Sequence, residues 1–145
     1  MTKDIIITVR GLQTAEDGAI ETVSPGAYYF KNGKHYIFYE EVMEGVQEKT
    51  KNTIKLSDGC MELTKKGSYS IHMLFEKDRK IVTYYNTPFG NLAMGIHAYR
   101  VDVKETDDQI GIEVEYALDI NHEHLSDCRI NIRIQPRSAD FKLIG

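Results

Sequence analysis

The side chains that could do chemistry in this sequence are few, and the most conspicuous are Glu40 and Glu41, which follow the aromatic string Tyr36-Ile37-Phe38-Tyr39. On an extended backbone successive side chains alternate between faces, so one of the two carboxylates must share a face with Tyr36 and Phe38. That place falls to Glu40, with Val42 beyond it. A carboxylate among apolar neighbours has to be paired, reach water or keep its proton, and Arg10, Lys55, Tyr84, Tyr85 or a bound cation are candidate partners. Such a group could orient a ligand in an apolar cavity, or simply make a structural hydrogen bond at a barrel end. Thr87-Pro88-Phe89-Gly90 has the chemistry of a turn, because Pro fixes φ and Gly accepts a strained position. Phe89 then either plugs one end of the fold or stands in a portal loop beside a cavity. Tyr36, Phe38, Glu40, Tyr85 and Phe89 form the expected ligand-binding set.

Other chemistry finds little support. His122-Glu123-His124 is the single histidine cluster, and residues two apart on a strand could turn both imidazoles toward one ion. The polar run from Asn121 to Asp127 reads better as a solvated loop between two strands, so no metal ligand is assigned. The sequence contains no G-x-S-x-G, no G-x-x-x-x-G-K, no G-x-G-x-x-G and no H-E-x-x-H, which removes the usual hydrolase, phosphate-loop, dinucleotide and zincin signatures. No catalytic residue and no cofactor is expected, and the protein is read as a non-enzyme.

Positioning these residues is a task for strands. Ile110, Ile112, Val114, Tyr116 and Leu118 alternate with smaller or charged residues, as do Cys128, Ile130, Ile132 and Ile134, and Tyr69, Ile71, Met73 and Phe75. Further strands are expected at Asp4 to Leu12, Ile20 to Ser24, Ala27 to Lys31, Lys34 to Val42, Thr53 to Leu56, Cys60 to Thr64 and Lys80 to Tyr85. Asn32-Gly33 is the strongest hairpin turn, because both residues tolerate positive φ. From Leu92 to Val103 the apolar phase moves from even to odd positions, which one extra residue near Ala98 or Tyr99, a β-bulge, would reconcile. Glu40 to Lys51 is read as a hairpin.

The chain has 145 residues, a formal charge of -4, 28% charged and 41% apolar residues, with nine Tyr and no Trp. This describes one domain over residues 1–145, folded and rich in β structure. A pI of about 5.7 gives no general basic excess for phosphate backbones, so nucleic acid is not an expected partner. Asp4, Thr8 and Arg10 interrupt the N-terminal apolar stretch, and no apolar run approaches the ~20 residues that cross a bilayer, so neither a signal peptide nor a membrane is expected. Cys60 and Cys128 stand outside any C-x-x-C and fit free thiols in the cytoplasm.

About eight to ten antiparallel strands with little helix leave an all-β sandwich or an up-and-down closed barrel, and the closed barrel is preferred because returning the last strand to the first removes exposed edges. Val9-Arg10-Gly11-Leu12-Gln13, Tyr36-Ile37-Phe38-Tyr39-Glu40-Glu41, Thr53-Ile54-Lys55, Thr87-Pro88-Phe89-Gly90-Asn91-Leu92 and Tyr116-Ala117-Leu118 occur in that order. Together they resemble the YwiB-like family of uncharacterised bacterial proteins. The resemblance implies a calycin-type, lipocalin-like barrel and a bacterial cytoplasmic setting, and it carries no activity onto any residue. Two functions follow as expectations: a barrel binding a small apolar or amphipathic molecule, or a structural or protein-interaction module whose core is filled by its own side chains. A homo-oligomer is compatible with either.

Overall fold

In the computed structural model the described residues are 3–13, 20–42, 49–67, 70–88 and 90–137, with backbone alone at 12, 13, 20, 42 and 85–87. Ten strands follow one another: β1 (Asp4–Gln13), β2 (Ile20–Lys31), β3 (Lys34–Val42), β4 (Lys49–Ser57), β5 (Cys60–Lys66), β6 (Ile71–Glu76), β7 (Lys80–Thr87), β8 (Gly90–Glu105), β9 (Ile110–Ile120) and β10 (Glu123–Pro136). Consecutive strands pair antiparallel from β1 to β6 and from β7 to β10, and β10 returns to pair with β1, with Ile7 opposite Ile134 and Val9 opposite Ile132. The expected up-and-down barrel is therefore present, with one difference in how it closes. No backbone ladder joins β6 to β7 among the described residues. The seam there is held by the turn between them, where Asp78 N donates to Ala98 O at 2.9 Å, and by β6 packing against β8.

Turn chemistry follows the sequence closely. Asn32 and Gly33 both have positive φ, 55° and 73°, as a two-residue hairpin between β2 and β3 requires. Tyr99 is the extra residue of a bulge, since the β8–β9 register shifts between Ala98 and Arg100. The phase change is thereby absorbed, and Ile96, Ala98 and Val101 all remain buried.

Elsewhere the strands depart from expectation. Ile20 to Ser24 and Ala27 to Lys31 are one strand, because the ladder runs straight through Pro25-Gly26. Gly26 permits this by lacking a side chain: a Cβ there would lie 2.6 Å from the Phe38 carbonyl oxygen of β3. The polar run from Asn121 to Asp127 is a two-residue turn, Asn121-His122, followed at once by β10. A second register shift, between His124 and Ser126, pushes Leu125 into solvent and hides the strand from any alternation count.

Inside the barrel Ile5, Ile7, Ile37, Ile54, Leu56, Met61, Phe75, Ile110, Val114 and Ile134 are fully buried and belong to one cluster. Phe75 meets Tyr116 edge to face at 4.9 Å. Ile112, Val114, Tyr116, Ile132 and Ile134 face inward as the alternation predicts, with Ile130 packed against them, while Glu113, Glu115, Arg129 and Arg133 lie on the outer face. The middle of the barrel is thus filled by the chain itself. Among the described residues the buried polar side chains are Ser24, Asn52 and Ser126.

Candidate functional site

The inner face of β3 is His35, Ile37, Tyr39 and Glu41, since Ile37 and Tyr39 are buried whereas Phe38 is 41% exposed. Tyr36, Phe38 and Glu40 consequently stand on the outside of the barrel, which corrects the expectation that they line its interior. The pattern misleads here because both faces of Tyr36-Ile37-Phe38-Tyr39 are apolar, so alternation separates them without saying which is inner. On the outside, Phe38 packs edge to face on Tyr29 with ring centroids 5.8 Å apart, and the Lys55 ammonium lies 5.9 Å over the Tyr36 ring. Glu40 is half exposed and lies 3.7 Å from Lys49. The side chain of Tyr85 and all of Phe89 lie outside the described residues. Of the five expected binding residues, three share an outer face of the barrel and two are not placed.

An inward carboxylate does exist, one residue further on. Register sets Tyr39 opposite Asn52 and Asn52 opposite Lys65, so β3, β4 and β5 bring these side chains to the inner face beside Glu41. Glu41 Oε1 accepts from Asn52 Nδ2 at 2.8 Å and from Lys65 Nζ at 3.1 Å. Asn52 also donates weakly to the Thr50 carbonyl at 3.4 Å. Both of its partners are acceptors, which fixes the amide with its NH2 toward Glu41 and its carbonyl away. Asn52 is 1% exposed, yet its Oδ1 has no hydrogen-bond partner among the described residues. A buried carbonyl left unpaired is expensive, and native structures carry few of them. Burial, with the nearby Glu41 charge second, pushes the Tyr39 phenol well above its ordinary value. Its hydroxyl stays protonated and can serve as a donor, not a nucleophile. The ensemble therefore leaves one acceptor, Asn52 Oδ1, unused among the described residues, with a carboxylate, an ammonium and a phenol near it.

Sequence reasoning missed this group because β4 was expected to begin at Thr53. Extending the Ile54 and Leu56 phase back two residues reaches Asn52, and extending Met61 and Leu63 forward two reaches Lys65. The signal was present, but polar residues at inward positions look like strand ends.

A second polar group bridges the barrel between β2, β3 and β8. His35 Nδ1 and the Tyr28 hydroxyl are 2.7 Å apart, and His35 Nε2 is 3.3 Å from Glu105. A neutral ring protonated on Nε2 satisfies both contacts at once, accepting from Tyr28 and donating to Glu105. Burial first, and then Glu105, raises the Tyr28 phenol, so this triad holds no activated hydroxyl. It acts as a latch across the fold. His124 lies 3.2 Å from Asp127, and among the described residues no group of three His, Cys, Asp or Glu side chains could hold a metal ion.

Comparison with known proteins bears on the fold. The profile of a family described as "Domain of unknown function (DUF1934)" matches residues 5–132. The crystal structure of the ywiB protein from Bacillus subtilis superposes with a TM-score of 0.73 at 20% sequence identity, over 92% of this chain and 89% of that one. At that identity the likeness speaks for a shared barrel architecture alone. No curated protein matches the sequence.

Proposed function

Because the chain belongs to the DUF1934 family, which is defined without an activity, we propose from the geometry that it is a non-enzymatic barrel binding a small amphipathic molecule at the Tyr39, Glu41, Asn52 and Lys65 cluster. The observation that carries this reading is the buried, unpartnered Asn52 Oδ1. A bound molecule offering an N–H or O–H to that oxygen would remove the desolvation penalty, which is about 1–3 kcal/mol for such a group. Ile37, Ile54 and Leu63 neighbour the cluster on the same inner face and suit the apolar part of such a ligand. The Tyr39 phenol beside it is held protonated, which supports binding over turnover. The cytoplasm is the proposed compartment, supported by the free thiols of Cys60 and Cys128. Among the described residues no helix is long and apolar enough to cross a membrane.

Native mass spectrometry of freshly purified protein tests the reading. A small-molecule adduct on the wild type that disappears from the Asn52→Leu variant, which keeps the branching and removes the amide, is the expected result. An adduct-free wild type whose melting temperature does not respond to a panel of amphipathic amides and amines overturns it. The filled middle of the barrel favours a second reading, an interaction module that works through its outer surface, and the same adduct-free result would leave that reading standing.

A further inference from the structure

The formal charge of -4 is a sum over the chain, and the outer face of β2, β3, β4 and β5 departs from it sharply. Three rings meet there: Tyr29 and Tyr36 are directly opposed across β2 and β3, and Phe38 lies diagonally against Tyr29. Tyr29 and Phe38 are both about two-fifths exposed, at 42% and 41%. Lysines frame them on every side. Lys3 lies 5.1 Å over the Tyr29 ring and Lys55 5.9 Å over Tyr36, with Lys31 and Lys34 at the hairpin turn and Lys51 and Lys66 opposite one another beyond Phe38. None of these six lysines lies within ion-pair distance of a carboxylate among the described residues. The same face also carries Glu21, Glu40 and Glu62; Glu40 stands opposite Lys51 and 3.7 Å from Lys49, and Glu62 stands opposite Lys55 and 3.1 Å from His72. Two shallow depressions, of about 620 and 750 Å³, flank Phe38, one floored by the rings and the other edged by Lys49, Lys51 and Lys66.

We propose that this face binds single-stranded nucleic acid, its bases stacking on Tyr29, Tyr36 and Phe38 and its phosphates running along the unpaired lysines. Exposed rings on an antiparallel sheet within a basic track suit a strand whose bases are splayed, because every base has a π face and every link a charge. An acidic peptide would satisfy the lysines and leave the rings without a planar partner. Phosphate contacts made by four or five lysines give a log–log salt slope of roughly −3, so affinity should fall about 60-fold between 50 and 200 mM salt.

Fluorescence anisotropy with labelled oligo(dT) and oligo(U) of about 12 nucleotides reads this directly, the length matching one barrel-sized site. Binding to either strand at 50 mM salt, with that salt dependence, is expected, and the tighter of the two identifies DNA or RNA as the natural class. Phe38→Ala and Tyr36→Ser should each weaken binding at least about fivefold, Lys51→Gln should flatten the salt slope, and Arg129→Gln on the far face should change nothing. Circular dichroism of each variant separates lost binding from lost fold, and Lys51→Gln tests the same face without touching a ring. Absence of binding at 50 mM salt overturns the proposal. So does binding that is indifferent to both ring variants, or that polyglutamate of equal charge displaces completely at matched concentration, since either would reveal an acidic protein surface as the partner.

Discussion

Replacing Glu41 by Leu removes the one acceptor that Asn52 and Lys65 share inside the barrel. Asn52 is 1% exposed and keeps only the long contact to Thr50, so a buried amide is left almost wholly unsatisfied, at a cost of about 1–3 kcal/mol. The Lys65 and Glu41 side chains are 32% and 21% exposed, and water screens their attraction to about 1 kcal/mol or less. Leucine recovers roughly 1 kcal/mol through apolar burial, leaving a net loss of about 2 kcal/mol. For a chain of this length that lowers Tm by roughly 4–8 °C. Glu40→Leu, one residue away but half exposed beside Lys49, should stay within about 0.5 kcal/mol of wild type. Urea unfolding followed by far-UV circular dichroism measures both, with equal m-values required for a fair comparison. In the double variant Glu41→Leu/Asn52→Leu the orphaned amide is gone, and part of the loss should return as a coupling of about 1 kcal/mol. A Glu40 variant that is as costly as the Glu41 variant would refute the register and with it the placement of the cluster.

Phe75 is fully buried against Tyr116 at the seam that no ladder closes, so Phe75→Ala should lose about 3–5 kcal/mol in the same urea assay; a loss under 1 kcal/mol would mean the seam does not depend on it. Gly33 sits at φ 73° with open space around it, so Gly33→Ala should cost about 1–2 kcal/mol through the backbone alone, whereas Gly33→Asn should cost less. Burial chiefly, and then Glu76 and Glu62, pushes the Cys60 thiol above its ordinary value, which keeps it protonated at neutral pH. Its alkylation by iodoacetamide should therefore be slow at pH 7, quicken above the usual thiol range, and speed up at fixed pH in Glu76→Gln, because removing a neighbouring negative charge favours the thiolate. An unchanged rate in that variant would contradict the cause given.

Strands with one apolar face were legible from the sequence, as β9 and β10 show, because alternation there opposes Ile and Val to Glu and Arg. The Tyr99 bulge was legible for the same reason, since a phase slip in a half-buried strand leaves a mark in the order of residues. β3 was not, because Tyr36 and Phe38 on one side and Ile37 and Tyr39 on the other are equally apolar; only pairing with β2 and β4 decides which side turns inward. That ambiguity displaced the inward carboxylate from Glu41 to Glu40. Asn52 was hidden for a different reason: a polar residue is placed in a core by its tertiary partners, and neither Glu41 nor Lys65 is its neighbour in sequence. The lysines that frame the outer rings come from β2, β3, β4, β5 and the residue before β1, so no basic run announces them along the chain.

The most direct test of the binding account is a high-resolution crystal structure of the protein as purified, read at Asn52 Oδ1. The account predicts density for a bound molecule whose donor lies within about 3 Å of that oxygen, alongside Glu41 and Lys65. Tight packing of the chain's own side chains over Asn52, with one of them donating to Oδ1 and no room for a ligand, would contradict it.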